Sequence, residues 1–161
     1  MHSKDYLGLA YDLFEKAYEH QMDGDLETAI QLYRRSIETY PTAEAHTFLG
    51  WTYSFQGKLD DAIAECKKAI QIDPDFGNPY NDIGAYLIEK RQYQEAIPWL
   101  TKAASAKRYD NYHFAHYNLG RAYAAMELFT KAREEFERAL QIHSTYVMAQ
   151  DALKTVKRSV H

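Results

Sequence analysis

From His46 to Pro74 apolar and polar residues alternate with helical spacing, and the pattern breaks at Gly57. Ala62, Cys66 and Ala69 mark one face of the second half, and Asp73–Pro74 closes it, because proline cannot continue a helix. The stretch reads as two amphipathic helices joined by a turn. Versions of it recur before and after, so the pattern predicts an all-α chain built from one unit copied four times.

Aligning the copies on a Leu-Gly pair sets their register. The pair is Leu49–Gly50, Ile83–Gly84 and Leu119–Gly120, with Lys16–Ala17 in the first copy. A small residue follows in each copy (Ala29, Ala62, Ala96, Ala132), then a bulkier one (Tyr33, Cys66, Leu100, Phe136), then a small one again (Ser36, Ala69, Ala103, Ala139). A fixed step of about 34 residues marks a stacked array rather than one irregular core. Glycine inside a helix costs about 1 kcal/mol against alanine, so its return at Gly50, Gly84 and Gly120 implies a second helix crossing too closely for a side chain. Ala62, Ala96 and Ala132 are expected to form the facing surface. Gly24 and Gly57 fit the turns within pairs, where positive φ is useful. Pro41 and Pro74 end second helices.

These residues resemble the tetratricopeptide repeat (TPR), with its W-x2-L-G-x2-Y…A-x3-F…P pattern. The fourth copy, HYNLGRAYAAMELFTKAREEFERAL, matches apart from His116 in the Trp slot; the second matches as HTFLGWTY…AIAEC…P; the third has Leu87 for the Tyr and no closing Pro; the first is the most degenerate. The resemblance implies a right-handed α-solenoid of four TPR-like helix pairs plus a C-terminal capping helix. One domain would span 1–161, with copies at about 10–42, 43–76, 77–112 and 113–146 and the cap at about 146–159. Val147, Ala149, Ala152, Leu153 and Val156 give the cap an apolar side, and Gln150, Asp151, Lys154, Lys157 and Arg158 a polar one, as the last turn of an array requires. The first residues are expected to lengthen the first helix, with Ser3 as a possible N-cap.

Two departures from the pattern carry expectations. The step from the third to the fourth copy is longer, and its link, SAKRYDNYHF, has no Pro; either the preceding helix runs on or the turn is looser. Pro98 lies inside a second helix, where it removes one donor and favours a kink. It is either a tolerated bend or, with Trp99, a device that re-aims the outer surface as a second contact site.

The family resemblance also implies where a ligand sits, on the first helices of the pairs. Carried onto this sequence, the candidate groove residues are Tyr11, Phe14, Tyr18, Thr47, Trp51, Phe55, Asn78, Asn81, Phe114, Tyr117 and Arg121, with Gln21, Met22, Glu44, Ser54, Ala85, Ile88, Glu89, Ala124 and Ala125 at further groove positions. Aromatic side chains not needed to hold a stack together point to binding, since contiguous exposed apolar surface marks interaction sites and Trp, Tyr and Arg recur as hot spots. The alternatives are that these rings pack between copies or that the N-terminal extension lies in the groove. The family's carboxylate-gripping set of Lys, Asn and Arg is not matched, because Thr47 and Trp51 stand where Lys and Asn would be. The expected ligand is an apolar or aromatic peptide, or a partner helix.

Charge and composition narrow the function classes. The net charge of −4 and the lack of a long basic run argue against nucleic acid, and Arg121 alone is not the basic groove of a single-strand binder. The lone Cys66 allows no internal disulfide and sits in a packing slot rather than in a nucleophile's setting. His113 and His116 have helical spacing but no third ligand nearby, so packing is favoured over metal. No phosphate-binding or dinucleotide motif is present. No apolar run suggests a signal peptide or a membrane span, so a cytoplasmic protein is the simplest expectation. The reading is a non-catalytic protein–protein interaction module without metal or cofactor, a monomer or weak homodimer that does not act on nucleic acid or membrane. A self-assembling scaffold using the convex face around Trp99 is the alternative, and an RNA-binding array the third.

Overall fold

A computed structural model describes residues 3–159. Among these residues there are nine α-helices and no strand. The chain divides into two compact units, residues 1–74 and 75–161. The first contains α1 (Ser3–Met22), α2 (Leu26–Thr39), α3 (Ala43–Phe55) and α4 (Leu59–Ile72). The second contains α5 (Asn78–Glu89), α6 (Tyr93–Ala104), α7 (Tyr112–Ala125), α8 (Phe129–Ile142) and α9 (Val147–Ser159). The expected pairs are α1/α2, α3/α4, α5/α6 and α7/α8, with α9 closing the fourth. The N-terminal extension lengthens α1, described over the 20 residues Ser3–Met22, and Ser3 lies within the helix rather than capping it.

The glycine slots are close crossings, but the alanine row is not what fills most of them. A Cβ at Gly84 would lie 2.2 Å from Leu100 Cδ2, and one at Gly120 would lie 2.4 Å from the Phe136 ring. Both neighbours come from the bulky slot. Where that slot holds the smaller Cys66, backbone closes in instead: a Gly50 Cβ would meet the Ala62 carbonyl oxygen at 2.8 Å. The row Ala29, Ala62, Ala96 and Ala132 is fully buried, as are Ala69, Ala103 and Ala139. Ser36 takes that last small slot in the first copy, and its hydroxyl donates to the Ala10 carbonyl at 2.7 Å.

The turns inside the pairs share one backbone conformation across all four copies. Gly24 and Gly57 have φ of 82° and 74°, and the matching positions hold Arg91 and Glu127 at 62° and 60°. An L-residue pays roughly 1–2 kcal/mol to adopt this left-handed conformation. Arg91→Gly and Glu127→Gly are therefore each expected to stabilise the protein by about 1 kcal/mol. The check is the urea midpoint at constant m-value.

The link between α6 and α7 departs from both sequence expectations. The helix does not run on: α6 stops at Ala104. Nor is the turn loose, because its residues fold back onto the segment before α5. Gly77 N donates to Arg108 O at 3.0 Å and Arg108 N to Asp75 O at 2.9 Å, forming a parallel bridge between Phe76 and Arg108. The Arg108 guanidinium lies 4.1 Å over the Phe76 ring, and a Cβ at Gly77 would strike Tyr109 at 2.5 Å. The added length supplies hydrogen-bond partners that a proline turn would not. On α9, Ala149 and Val156 are buried as expected, but Val147 is 60% exposed, because it is the first residue of the helix and precedes the turn that meets α8.

Candidate functional site

In the first unit the aromatic residues of α1 and α3 form a continuous set of ring contacts. Phe14 lies 5.6 Å from Tyr33 and 5.2 Å from Phe48; Tyr18 reaches Phe48 at 5.8 Å; Trp51 lies 5.8 Å from Phe48 and 5.1 Å from Phe55. Such tilted and edge-on pairs at this spacing add to simple area burial. Tyr33 is the anchor at the bottom: it is fully buried and its hydroxyl donates to Gln21 Oε1 at 2.6 Å. Burial pushes the Tyr33 phenol well above its ordinary pKa. The outer members remain open, with Phe55 58% and Tyr18 41% exposed, and Tyr11 and Met22 are exposed as well. Phe14 and Trp51 are half-buried between these layers.

Two placements sharpen the sequence picture of this unit. Thr47 is buried, and its hydroxyl donates to the Ala43 carbonyl within its own helix. Phe48, absent from the candidate set, is the ring at which Phe14, Tyr18, Tyr33 and Trp51 meet. Its signal in the sequence was only a bulky aromatic beside the Leu-Gly pair. The α3 helix that carries it starts cleanly because Thr42 accepts from the Ala45 N–H, satisfying a donor left free by the first turn.

In the second unit the candidates Asn81 and Arg121 are joined through Asn118, which lies outside the candidate set. Arg121 Nη1 donates to Asn118 Oδ1 at 3.0 Å, and Asn118 Nδ2 donates to Asn81 Oδ1 at 3.0 Å. Asn81 and Asn118 are buried and Arg121 is half-buried. The Arg121 guanidinium also lies 5.9 Å from the centre of the Tyr117 ring. Tyr117 packs on Phe136 at 5.8 Å and Tyr146 at 5.3 Å, and Phe114, at the edge of exposure, packs on Tyr146 at 5.5 Å. Asn78, the first residue of α5, is half-buried. Ile88, Tyr93, Arg121, Ala124, Ala125, Ala152, Thr155 and Val156 line an open pocket of ≈ 400 Å³, with Phe136 at its base.

The signature's Trp slot explains several residues that could otherwise be mistaken for chemistry. In the second copy it holds His46, whose Nδ1 lies 2.7 Å from Glu65 Oε2; in the fourth it holds His116, 2.7 Å from Glu135 Oε2. Lys68 and Arg138 supply the second contact to each carboxylate, at 3.1 and 3.8 Å. Burial opposes ionisation of Glu65, but hydrogen bonds from His46 and Lys68 outweigh it and hold the carboxyl below its ordinary pKa. In the third copy the same two positions hold Tyr80 and Trp99, whose rings are 6.2 Å apart under Lys102. His113 packs against His143 at 4.8 Å and Tyr146 at 5.2 Å. Burial, then the neighbouring His143, lowers its pKa. Among the described residues no three His, Cys, Asp or Glu side chains converge as metal ligands, and Cys66 is buried.

Models of the tetratricopeptide repeat match residues 6–43, 43–76, 65–97 and 113–146. The chain belongs to the tetratricopeptide repeat family. TPR domains are protein-interaction modules, and the repeat boundaries at 43–76 and 113–146 coincide with the pairs α3/α4 and α7/α8 plus their following turns. Among curated relatives, a rice SGT1 homolog is 36% identical over 88 residues, 54% of this chain and 24% of that protein. The type IV pilus assembly protein PilF of Pseudomonas aeruginosa is 28% identical over 121 residues, 74% of this chain and 48% of PilF. The chain thus spans less than half the length of these relatives. Among solved structures, MamA superposes with a TM-score of 0.75 at 26% identity over 88% of this chain and 82% of MamA. Pseudomonas aeruginosa PilF superposes with a TM-score of 0.86 at 24% identity over 93% of this chain and 68% of the other. The first TPR domain of RPAP3, bound to the HSP90 peptide SRMEEVD, superposes at 0.69 and 22% identity over 74% of this chain and 93% of that domain. Among the described residues no helix is long and apolar enough to cross a membrane.

Proposed function

We propose that this TPR protein is a non-catalytic adaptor that holds a peptide or helix of a partner protein against the aromatic face of α1 and α3. The observation that carries this reading is the layered set of rings from buried Tyr33 through Phe48 and Trp51 to open Phe55. The lower rings fix the upper ones, so little side-chain freedom is lost when a ligand covers them. Tyr18 and Met22 extend the face along α1, giving an apolar strip suited to alternate side chains of an extended peptide or to one stripe of a helix.

The test uses a partner recovered with the wild-type protein and then titrated against variants. Phe55→Ala, at an exposed position, is expected to leave the melting temperature unchanged. Trp51→Ala is expected to weaken binding by about 2 kcal/mol. Binding unchanged in both variants would remove the α1/α3 face from consideration and leave the fold intact. Self-assembly through Trp99 has weaker support, since that ring is half-buried against Tyr80 and covered by Lys102.

A further inference from the structure

The first unit carries a second feature, on the side of α3 away from its aromatic face. Tyr53 is two residues from both Trp51 and Phe55 and so lies on the opposite side of the helix. We propose that the hollow around Tyr53, between α2 and the α3–α4 turn, binds a phosphomonoester dianion. The hollow lies wholly within the first unit, and none of the aromatic-face residues lines it.

Two cations gather at this one ring. Arg34 of α2 donates from Nη2 to the Tyr53 hydroxyl at 2.6 Å, and its guanidinium carbon lies 5.9 Å from the ring centre. Lys58 Nζ, from the turn, lies 5.9 Å from the same centre. Like charges held this near repel each other, and among the described residues neither forms an ion pair with a carboxylate. Both are exposed and within reach of a ligand, whereas Tyr53 is only 8% exposed and fixes the guanidinium in place. That bond uses one of five guanidinium N–H donors. The Tyr53 hydroxyl accepts it, and its own proton has no acceptor among the described residues. Gln31 and Gln56 add amides to the walls. Lys58 is also the N-cap of α4 and its side chain caps nothing, so the positive end of that helix adds to the field.

The hollow, of ≈ 360 Å³, has room for a phosphoryl group and the first atoms of its carrier. A guanidinium fork, an ammonium, a phenol and amides arrive from different directions, which suits a tetrahedral dianion better than a planar carboxylate. Glu27 also belongs to the lining, two helical turns before Arg34 on α2, and its charge favours an anion seated at the Arg34–Lys58 end. The array itself does not call for the two cations. At the equivalent junction inside the second unit, Thr101 stands for Arg34 and Leu128 for Lys58. Thr101 donates to the Ile97 carbonyl of its own helix, and Tyr123, in the place of Tyr53, has Lys131 5.6 Å from its ring centre.

The experiment is a backbone-amide NMR titration of the full chain with phenyl phosphate at about 0.15 M NaCl, which screens diffuse attraction; benzoate is the control for shape and charge. Phenyl phosphate is expected to shift the amides of Gln31, Tyr53, Gln56 and Lys58 in a saturable way, and benzoate to bind about tenfold more weakly or not at all. Arg34→Gln and Lys58→Gln, at exposed positions, should each weaken phenyl phosphate binding about tenfold. Tyr53→Phe keeps the ring and should weaken it severalfold, whereas Glu27→Gln should strengthen it about twofold. Glycerol phosphate and a capped phosphoserine peptide then distinguish the source: the tighter binder identifies a free ester or a phosphorylated side chain. Benzoate binding as tightly as phenyl phosphate, affinity unchanged by loss of either cation, or shifts that map elsewhere would each overturn the proposal. These readouts involve neither Trp51 nor Phe55, so failure here leaves the aromatic face standing.

Discussion

Gly120→Ala is expected to destabilise the protein by about 2 kcal/mol, although alanine is the better helix former. The added methyl would sit 2.4 Å from Phe136 Cε1 and 2.5 Å from Cδ1, closer than carbon atoms can approach. Phe136 is 1% exposed and packs in a cluster with Ala132 and Val156, so pushing its ring aside breaks that packing. Overpacking of this kind costs about 1–3 kcal/mol, and the propensity gain offsets about 1 kcal/mol; the severity of the overlap puts the clash at the upper end. The mechanism is tested by a double-mutant cycle with Phe136→Leu. The two changes together should cost clearly less than the sum of the singles, by about 1 kcal/mol or more. Gly50→Ala should behave differently. Its obstacle is the Ala62 carbonyl, and backbone cannot be trimmed, so Cys66→Ala should give little relief. Additivity at the Gly120/Phe136 pair would refute the close-crossing account.

Asp82→Asn is expected to stabilise the protein by about 2 kcal/mol at pH 8 and by almost nothing at pH 4. Asp82 on α5 makes no hydrogen bond or ion pair among the described residues, and burial pushes its carboxyl up from 3.8 to about 7. Below about pH 4 the carboxyl is protonated in both folded and unfolded chains and has no effect on the balance. Between about 4 and 7 the unfolded chain gives up the proton while the folded chain retains it. Stability therefore falls as pH rises through this window and levels off above it. A shift of this size corresponds to roughly 4 kcal/mol; residual water contact of the half-buried side chain reduces the expected effect to about half. The measurement is the difference in unfolding free energy between wild type and variant at several pH values. Parallel curves would show that Asp82 ionises as freely in the fold as out of it. The raised pKa of the neighbouring Tyr109 has burial as its first cause and the Asp82 charge as its second.

The repeat register was readable because its cues are local and recur. Glycine at one helical position, alanine rows and Pro41 and Pro74 each impose a steric rule on their own segment. Together they located the helix pairs and the family. The candidate site was readable only in part. Phe14, Tyr18, Trp51 and Phe55 come together, but the ring that joins them, Phe48, carried no signal separate from ordinary packing. Thr47 occupied a groove position by register, yet its short side chain finds the Ala43 carbonyl before it can reach a ligand. Trp99 could be a contact residue until Tyr80 is seen beneath it, at the positions where other copies place a His and a Glu.

The sequence by itself determined the all-α repeat, its register, the close crossings and the helices that carry the aromatic residues. Those follow from steric and periodic rules acting within one copy. Only the tertiary structure decided that Arg91 and Glu127 adopt the conformation of Gly24 and Gly57, that the long link bridges Asp75–Gly77, and that Phe48 joins the rings of Phe14, Tyr18 and Trp51. Each of these depends on what lies across from a residue, and packing between elements far apart in the chain sets that.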